Sequence, residues 1–181
     1  MSPRLPPCAS RRHLSLRATL TGDRMARVAF AAAAGAGELL ERTDSMSSLG
    51  ELLAGVRSGA EGRLVLVAGE AGVGKTAVLR RFCDANAAAA RILWGACEPL
   101  RTPRPLGPLL DVAEATRGVL EQLVTSGARP HEVTVELLRD LRRDEPTILV
   151  LEDVHWADEA TLDVLTLLAA RIAAVPALVL A

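Results

Sequence analysis

The chain has 181 residues, 21 basic against 22 acidic side chains, a formal net charge of -1, half of its residues apolar and few aromatics. That length supports one sizeable core and is short for two, and the near-neutral balance gives no ground for a nucleic-acid or acidic-membrane partner. Cys8, Cys83 and Cys97 are odd in number and lack C-x-x-C spacing, which supports neither a disulfide framework nor a zinc site and fits reduced thiols in a cytosol. The longest apolar stretches, 28–37 and 166–181, fall short of the roughly 20 clean residues that cross a bilayer; Arg171 and Pro176 break the second.

In chain order, residues 1–37 carry Pro3, Pro6 and Pro7, six arginines against one acid (Asp23), and no apolar periodicity, so they read as a disordered arm. Ser10-Arg11-Arg12-His13-Leu14 has the outline of a twin-arginine export signal, but Arg17, Asp23, Arg24 and Arg27 interrupt its apolar core, and Met25 is an alternative start. A domain is expected over 38–181. Leu49, Leu52, Leu53 and Val56 recur at helical spacing, with Asp44 or Ser45 as N-cap and Ser58-Gly59 as the stop.

The apolar run Leu64-Val65-Leu66-Val67-Ala68 predicts a buried strand. It enters Gly69-Glu70-Ala71-Gly72-Val73-Gly74-Lys75-Thr76, of the form G-x-x-x-x-G-K-[ST], and Ala77 to Phe82 opens a helix. Strand, glycine turn and helix together are the context of the phosphate-binding loop of P-loop NTPases. Glycines let successive backbone N–H groups close on phosphate oxygens, and the helix adds free N–H groups and the positive end of its dipole. Lys75, the sole lysine of the chain, can reach the β- and γ-phosphates, and the Thr76 hydroxyl can join the coordination of Mg²⁺.

Ile92-Leu93-Trp94 predicts a second strand, and the proline-punctuated segment Pro99 to Pro108 an irregular connection. Helical stripes follow at Leu106, Leu109, Leu110 and Ala113; at Val119, Leu120, Leu123 and Val124; and at Val133, Leu137, Leu138 and Leu141. Arg139, Arg142 and Arg143 belong to a solvated face.

Thr147-Ile148-Leu149-Val150-Leu151 predicts a third strand, apolar throughout as a parallel strand covered on both faces should be, and it ends in Glu152-Asp153. Adjacent acids at the carboxyl end of a buried strand have the form of a Walker B element, where Mg²⁺ finds a carboxylate and a second acid can orient or deprotonate the attacking water. His155 and Trp156 read as loop or packing residues. Asp158 is expected to cap a helix with the stripe Leu162, Leu165, Leu168, Ala169 and Ile172, and 177–181 to form a fourth strand.

These stretches together resemble the ATPase domain of the large ATP-binding regulators of the LuxR type, in the AAA-like and STAND branch of P-loop NTPases. The matching text is 39–42, the glycine loop 69–76, the segment 95–113, and 148–165 with its His155-Trp156-Ala157-Asp158. The resemblance implies an α/β three-layer sandwich with a parallel sheet ordered 1-4-3-2 from the P-loop strand. It also implies Lys75 on the β- and γ-phosphates, Thr76 and Glu152 serving Mg²⁺, Asp153 polarising water, and 40–42 bordering the adenine. Many relatives carry Asp where this chain has Glu152, so both acids stand as metal and catalytic candidates.

The P-loop strand is expected at an exposed edge, and the chain is expected to be a fragment of a larger cytoplasmic protein. ATP and Mg²⁺ are the implied cofactors, with slow or absent hydrolysis. Direct contact of this fragment with nucleic acid or membrane is not expected, and self-association belongs to the parent. A small P-loop kinase or a non-functional truncated product are the alternative readings.

Overall fold

The computed structural model describes residues 19–20, 25–30 and 37–181 apart from 60, 71, 101–103 and 144, with the backbone alone given before Ser45. Its elements in order are β1 (Thr19–Leu20), β2 (Met25–Phe30), α1 (Gly37–Arg57), β3 (Arg63–Gly69), α2 (Lys75–Asn86), β4 (Arg91–Ala96) and α3 (Gly107–Thr116). They continue with α4 (Val119–Thr125), α5 (Pro130–Leu141), β5 (Thr147–Glu152), α6 (Glu159–Arg171) and β6 (Ala177–Leu180).

One sheet runs β1-β2-β3-β6-β5-β4. From β3 onward every pairing is parallel, so the strands stand 1-4-3-2 counted from the P-loop strand, as the resemblance implies. Side chains on β5 alternate between two cores, as the period of two demands. Ile148 and Val150 pack with Leu49, Leu53, Val78 and Phe82 under α1 and α2. Leu149 and Leu151 pack with Leu109, Val112, Val133 and Leu137 under α3 to α6. Residues 147–151 are all buried, which is why Ile148-Leu149-Val150-Leu151 is an unbroken apolar run.

Several expectations change. Within the stretch read as a disordered arm, Thr19–Leu20 and Met25–Phe30 are strands; the rest of 1–36 lies outside the described residues. β2 pairs in parallel with β3 from Met25 opposite Leu64 to Phe30 opposite Gly69. The P-loop strand is therefore not an edge: α1 carries the chain back as the crossover of a parallel pair, and β2 takes up the backbone groups that an edge would leave unpaired. α1 also begins at Gly37 rather than at Asp44 or Ser45. Leu39, Leu40, Glu41 and Arg42 are good helix formers and extend it upstream.

The stripe of α6 holds at Leu165, Leu168, Ala169 and Ile172, which pack in or against the core, but not at Leu162. Thr161, Val164 and Leu168 are its buried residues and Leu162 is 48% exposed, while Asp158 caps the helix as expected, its side chain accepting from the Thr161 N–H. Val119 at the start of α4 is likewise exposed rather than packed.

α3 lies against β4 at Gly95, where a Cβ would fall 1.9 Å from the Pro108 carbonyl oxygen. Backbone cannot yield there as a flexible side chain would, so Gly95→Ala should lower unfolding stability by about 1–3 kcal/mol. Gly55, inside α1, has open space around its Cβ position, and Gly55→Ala should raise stability by roughly 0.5–1 kcal/mol. Chemical denaturation of the two variants checks both signs.

Candidate functional site

β3 delivers the chain into the glycine turn, where Gly72 at φ 80° and Gly74 at φ 90° take the left-handed conformation that side chains disfavour. Gly74 is the N-cap of α2, with no side-chain cap, and Lys75 is the first helical residue. The first N–H groups of a helix have no partner within it, so the start of α2 presents donors beside the turn. Lys75 arches back over the loop, its Nζ donating to the carbonyls of Gly69 at 2.9 Å and Glu70 at 3.2 Å.

The acidic pair arrives from β5. β6 lies between β3 and β5, with Leu178 level with both Arg63 and Ile148, so β3 and β5 run in step toward the same rim of the sheet. The two motifs meet in a small cavity of about 30 Å³ lined by Lys75, Thr76, Glu152 and Asp153 over a floor that includes Val67 and Leu151. Gly69, Glu70, Gly72, Val73 and Gly74 form the turn itself, where the Val73 N–H donates to Glu70 O at 3.3 Å. Ala71 and the side chains of 40–42 lie outside the described residues. A larger cleft of about 120 Å³, between the end of β4 and α3, contains none of the P-loop residues, so volume alone does not mark the site.

The two acids sit differently. Glu152 is part-buried at the strand end, and its Oε2 accepts from the Trp94 indole Nε1 at 3.1 Å. Asp153 leaves the strand in the left-handed region, φ 55° and ψ 39°, opening the 3-10 turn Val154–Trp156. Its carboxylate is half exposed, with His155 Nδ1 at 3.9 Å. His155 and Trp156, read as loop or packing residues, lie in that turn and are both exposed. Sequence reasoning missed two contacts: the Trp94 indole on Glu152, and the carboxylate of Asp158, which caps α6 and also accepts the Leu106 N–H at 3.1 Å, joining the entry of α3 to α6.

Among the described residues, no group of three or more His, Cys, Asp or Glu side chains could hold a metal unaided. A hydroxyl and one or two carboxylates facing a glycine turn suit Mg²⁺ instead, which keeps several waters and takes its remaining ligands from phosphates. The donor set therefore fits a metal that arrives with a nucleotide.

A strand running into a glycine turn and helix, with an acidic strand end two positions away in a 1-4-3-2 sheet, is a P-loop NTPase fold, and the family model described as AAA ATPase domain matches residues 38–180. The chain belongs to that family. Membership of the AAA ATPase domain family implies nucleotide binding. The domain is also similar, at 26% identity over 186 residues, to Uncharacterized protein R02095 of Rhizobium meliloti (strain 1021), the match covering 78% of this chain and 18% of that protein. The chain thus spans about a fifth of the length of that relative. No solved structure matches it. No helix among the described residues of this AAA ATPase domain is long and apolar enough to cross a membrane.

Among the described residues two cysteines are buried, Cys83 on α2 and Cys97 just after β4. Burial pushes the Cys83 thiol up to about 11, with help from Asp84, and does the same to Cys97, with smaller contributions from Asp158 and Asp153. An unfolded thiol ionises near 9.0, so the unfolded chain sheds these protons first, and stability should fall as pH rises from about 9 to about 11. Urea midpoints measured across that window should decrease, and Cys83→Ser with Cys97→Ser should flatten the decline.

Proposed function

We propose that this AAA ATPase domain is the ATP-binding, Mg²⁺-dependent nucleotide switch of a LuxR-type transcriptional regulator, working in the cytoplasm as the N-terminal part of a larger ATPase module over 38–181. The observation that carries the reading is the shared cavity of Lys75, Thr76, Glu152 and Asp153 beside the glycine turn. The LuxR assignment draws on the segments 95–113 and 148–165, and the much greater length of the Rhizobium relative accords with a multidomain parent.

The turn amides of 69–76 and the ammonium of Lys75 would hold the triphosphate, the lysine exchanging its carbonyl partners for phosphate oxygens that carry full negative charge. Thr76 would contribute its hydroxyl, and Glu152 or Asp153 a carboxylate, to the metal's shell; Mg²⁺, when bound, supplies charge neutralisation between the phosphates. The remaining acid would orient the attacking water. Switching would follow from ordering of the Asp153 turn and its neighbours around the γ-phosphate, the usual route by which such sites report their nucleotide state. Turnover by this chain alone should be very slow, because stabilisation of the transition-state charge by an arginine finger can be worth 10³–10⁵ in rate and no residue is assigned to that role.

Lys75→Ala should weaken ATP binding by about a hundredfold or more, since it removes the only lysine and the one cation of the loop. Isothermal titration with MgATP checks this, alongside a thermal melt showing that the variant stays folded. An unchanged affinity in a folded variant overturns the reading.

A further inference from the structure

The indole of Trp94 lies outside the nucleotide reading so far, yet it touches the one carboxylate that β5 aims toward α2. Alternate residues of β5 face alternate sides of the sheet, and Glu152 follows Ile148 and Val150, whose side chains pack in the core under α1 and α2. Thr76 sits in the first turn of α2, on that same side. Across the strands Trp94 stands opposite Val150 and Ala96 opposite Glu152, so Trp94 and Glu152 are diagonal neighbours, within reach of long side chains. The indole Nε1 donates to Glu152 Oε2 at 3.1 Å.

The ring itself is held from the other direction. The guanidinium of Arg80 lies 5.9 Å from the Trp94 ring centroid, a cation–π distance. Arg80 is four residues beyond Thr76 and so on the same face of α2, which makes one helix carry both the metal-seeking hydroxyl and the clamp on the indole. An indole N–H only donates and cannot ligate a metal, but it can fix the oxygen that it holds and leave the other free. Among the described residues Glu152 Oε1 has no hydrogen-bond donor. Asp153, by contrast, is exposed and leaves the strand through the left-handed region, with His155 Nδ1 at 3.9 Å from its carboxylate.

We propose that Trp94 is a positioning residue for the acidic pair: its indole N–H fixes the Glu152 carboxylate in the orientation in which it serves the metal of a bound Mg-nucleotide. This rests on the nucleotide-switch reading above and adds to it the residue that holds the metal-serving carboxylate in place. The donor behaves as the outer-shell partners of metal ligands do, whose loss costs metal affinity while leaving the ligand in place. Trp94 also becomes a built-in reporter, since Trp156 is the only other tryptophan.

The test uses the full chain and reads ATP affinity by isothermal titration with Mg²⁺ and with EDTA. Trp94→Phe removes the N–H while keeping an aromatic ring. Its metal-free affinity should stay within about twofold of the parent, and the strengthening that Mg²⁺ gives should drop by about tenfold. Glu152→Gln should lose the same gain, and the double variant Trp94→Phe with Glu152→Gln should be no worse than Glu152→Gln alone, because the indole acts through that carboxylate. In Trp156→Phe, where Trp94 is the sole indole, emission should shift on MgATP and stay put on ATP with EDTA; this arm decides the matter even if Trp94→Phe fails to fold. A full Mg²⁺ gain in Trp94→Phe, additive losses in the double variant, or emission blind to the metal overturns the positioning role alone. A parent chain that binds no ATP under either condition overturns this role and the nucleotide reading together.

Discussion

The parallel pairing of β3, β6 and β5 is the constraint on which everything else in this domain depends. Because all three strands run the same way, their carboxyl ends emerge on one rim, and the glycine turn after β3 and the Glu152-Asp153 end of β5 share a cavity without any loop reaching across the sheet. The rule that ligands of open α/β sheets bind outside strand carboxyl ends is here a matter of register. β6 acts as the spacer: its four buried residues carry no candidate site residue, and the acids reach the rim of the glycine turn because β5 runs in the same direction as β3.

Much of this was legible from the sequence because the relevant signals are local. The apolar runs at 64–68 and 148–151, the glycine loop and the Asp158 cap each depend on a few neighbouring residues, and each lies where its chemistry suggests. What was hidden is non-local. Met25–Phe30 has little to mark it as a strand within a proline- and arginine-rich segment; it becomes one only by lying beside β3 through the long crossover of α1. At the start of α6 only Leu162 was misread, because the buried residue there is Thr161, a polar side chain that pairs with Asp158, while the more apolar Leu162 is exposed. The Trp94–Glu152 contact joins positions 58 apart in sequence and could not be seen before the strands were paired.

The two sheet faces divide the labour. The α3 to α6 side carries the larger apolar cluster and is tied together at the site rim by Asp158, which serves α6 and the entry of α3 at once. The α1 and α2 side carries the phosphate-facing helix start, Thr76, Arg80, Trp94 and Glu152, so the groups that would meet a nucleotide hang from one helix and one strand pair. Asp153 stands at the junction, ending β5 and opening the turn that leads to α6. A change at the phosphate end of the cavity therefore has a short covalent path into the opposite layer, which is the physical basis for reading this AAA ATPase domain as a switch.

The most direct measurement is a ¹H–¹⁵N correlation spectrum of the chain titrated with ATP and Mg²⁺. The account predicts that the largest shifts fall on the backbone amides of Gly72, Gly74, Lys75 and Thr76, with a second set at Glu152 and Asp153 that requires the metal. Shifts that leave the glycine turn untouched, or that cluster instead in the cleft between β4 and α3, would contradict it.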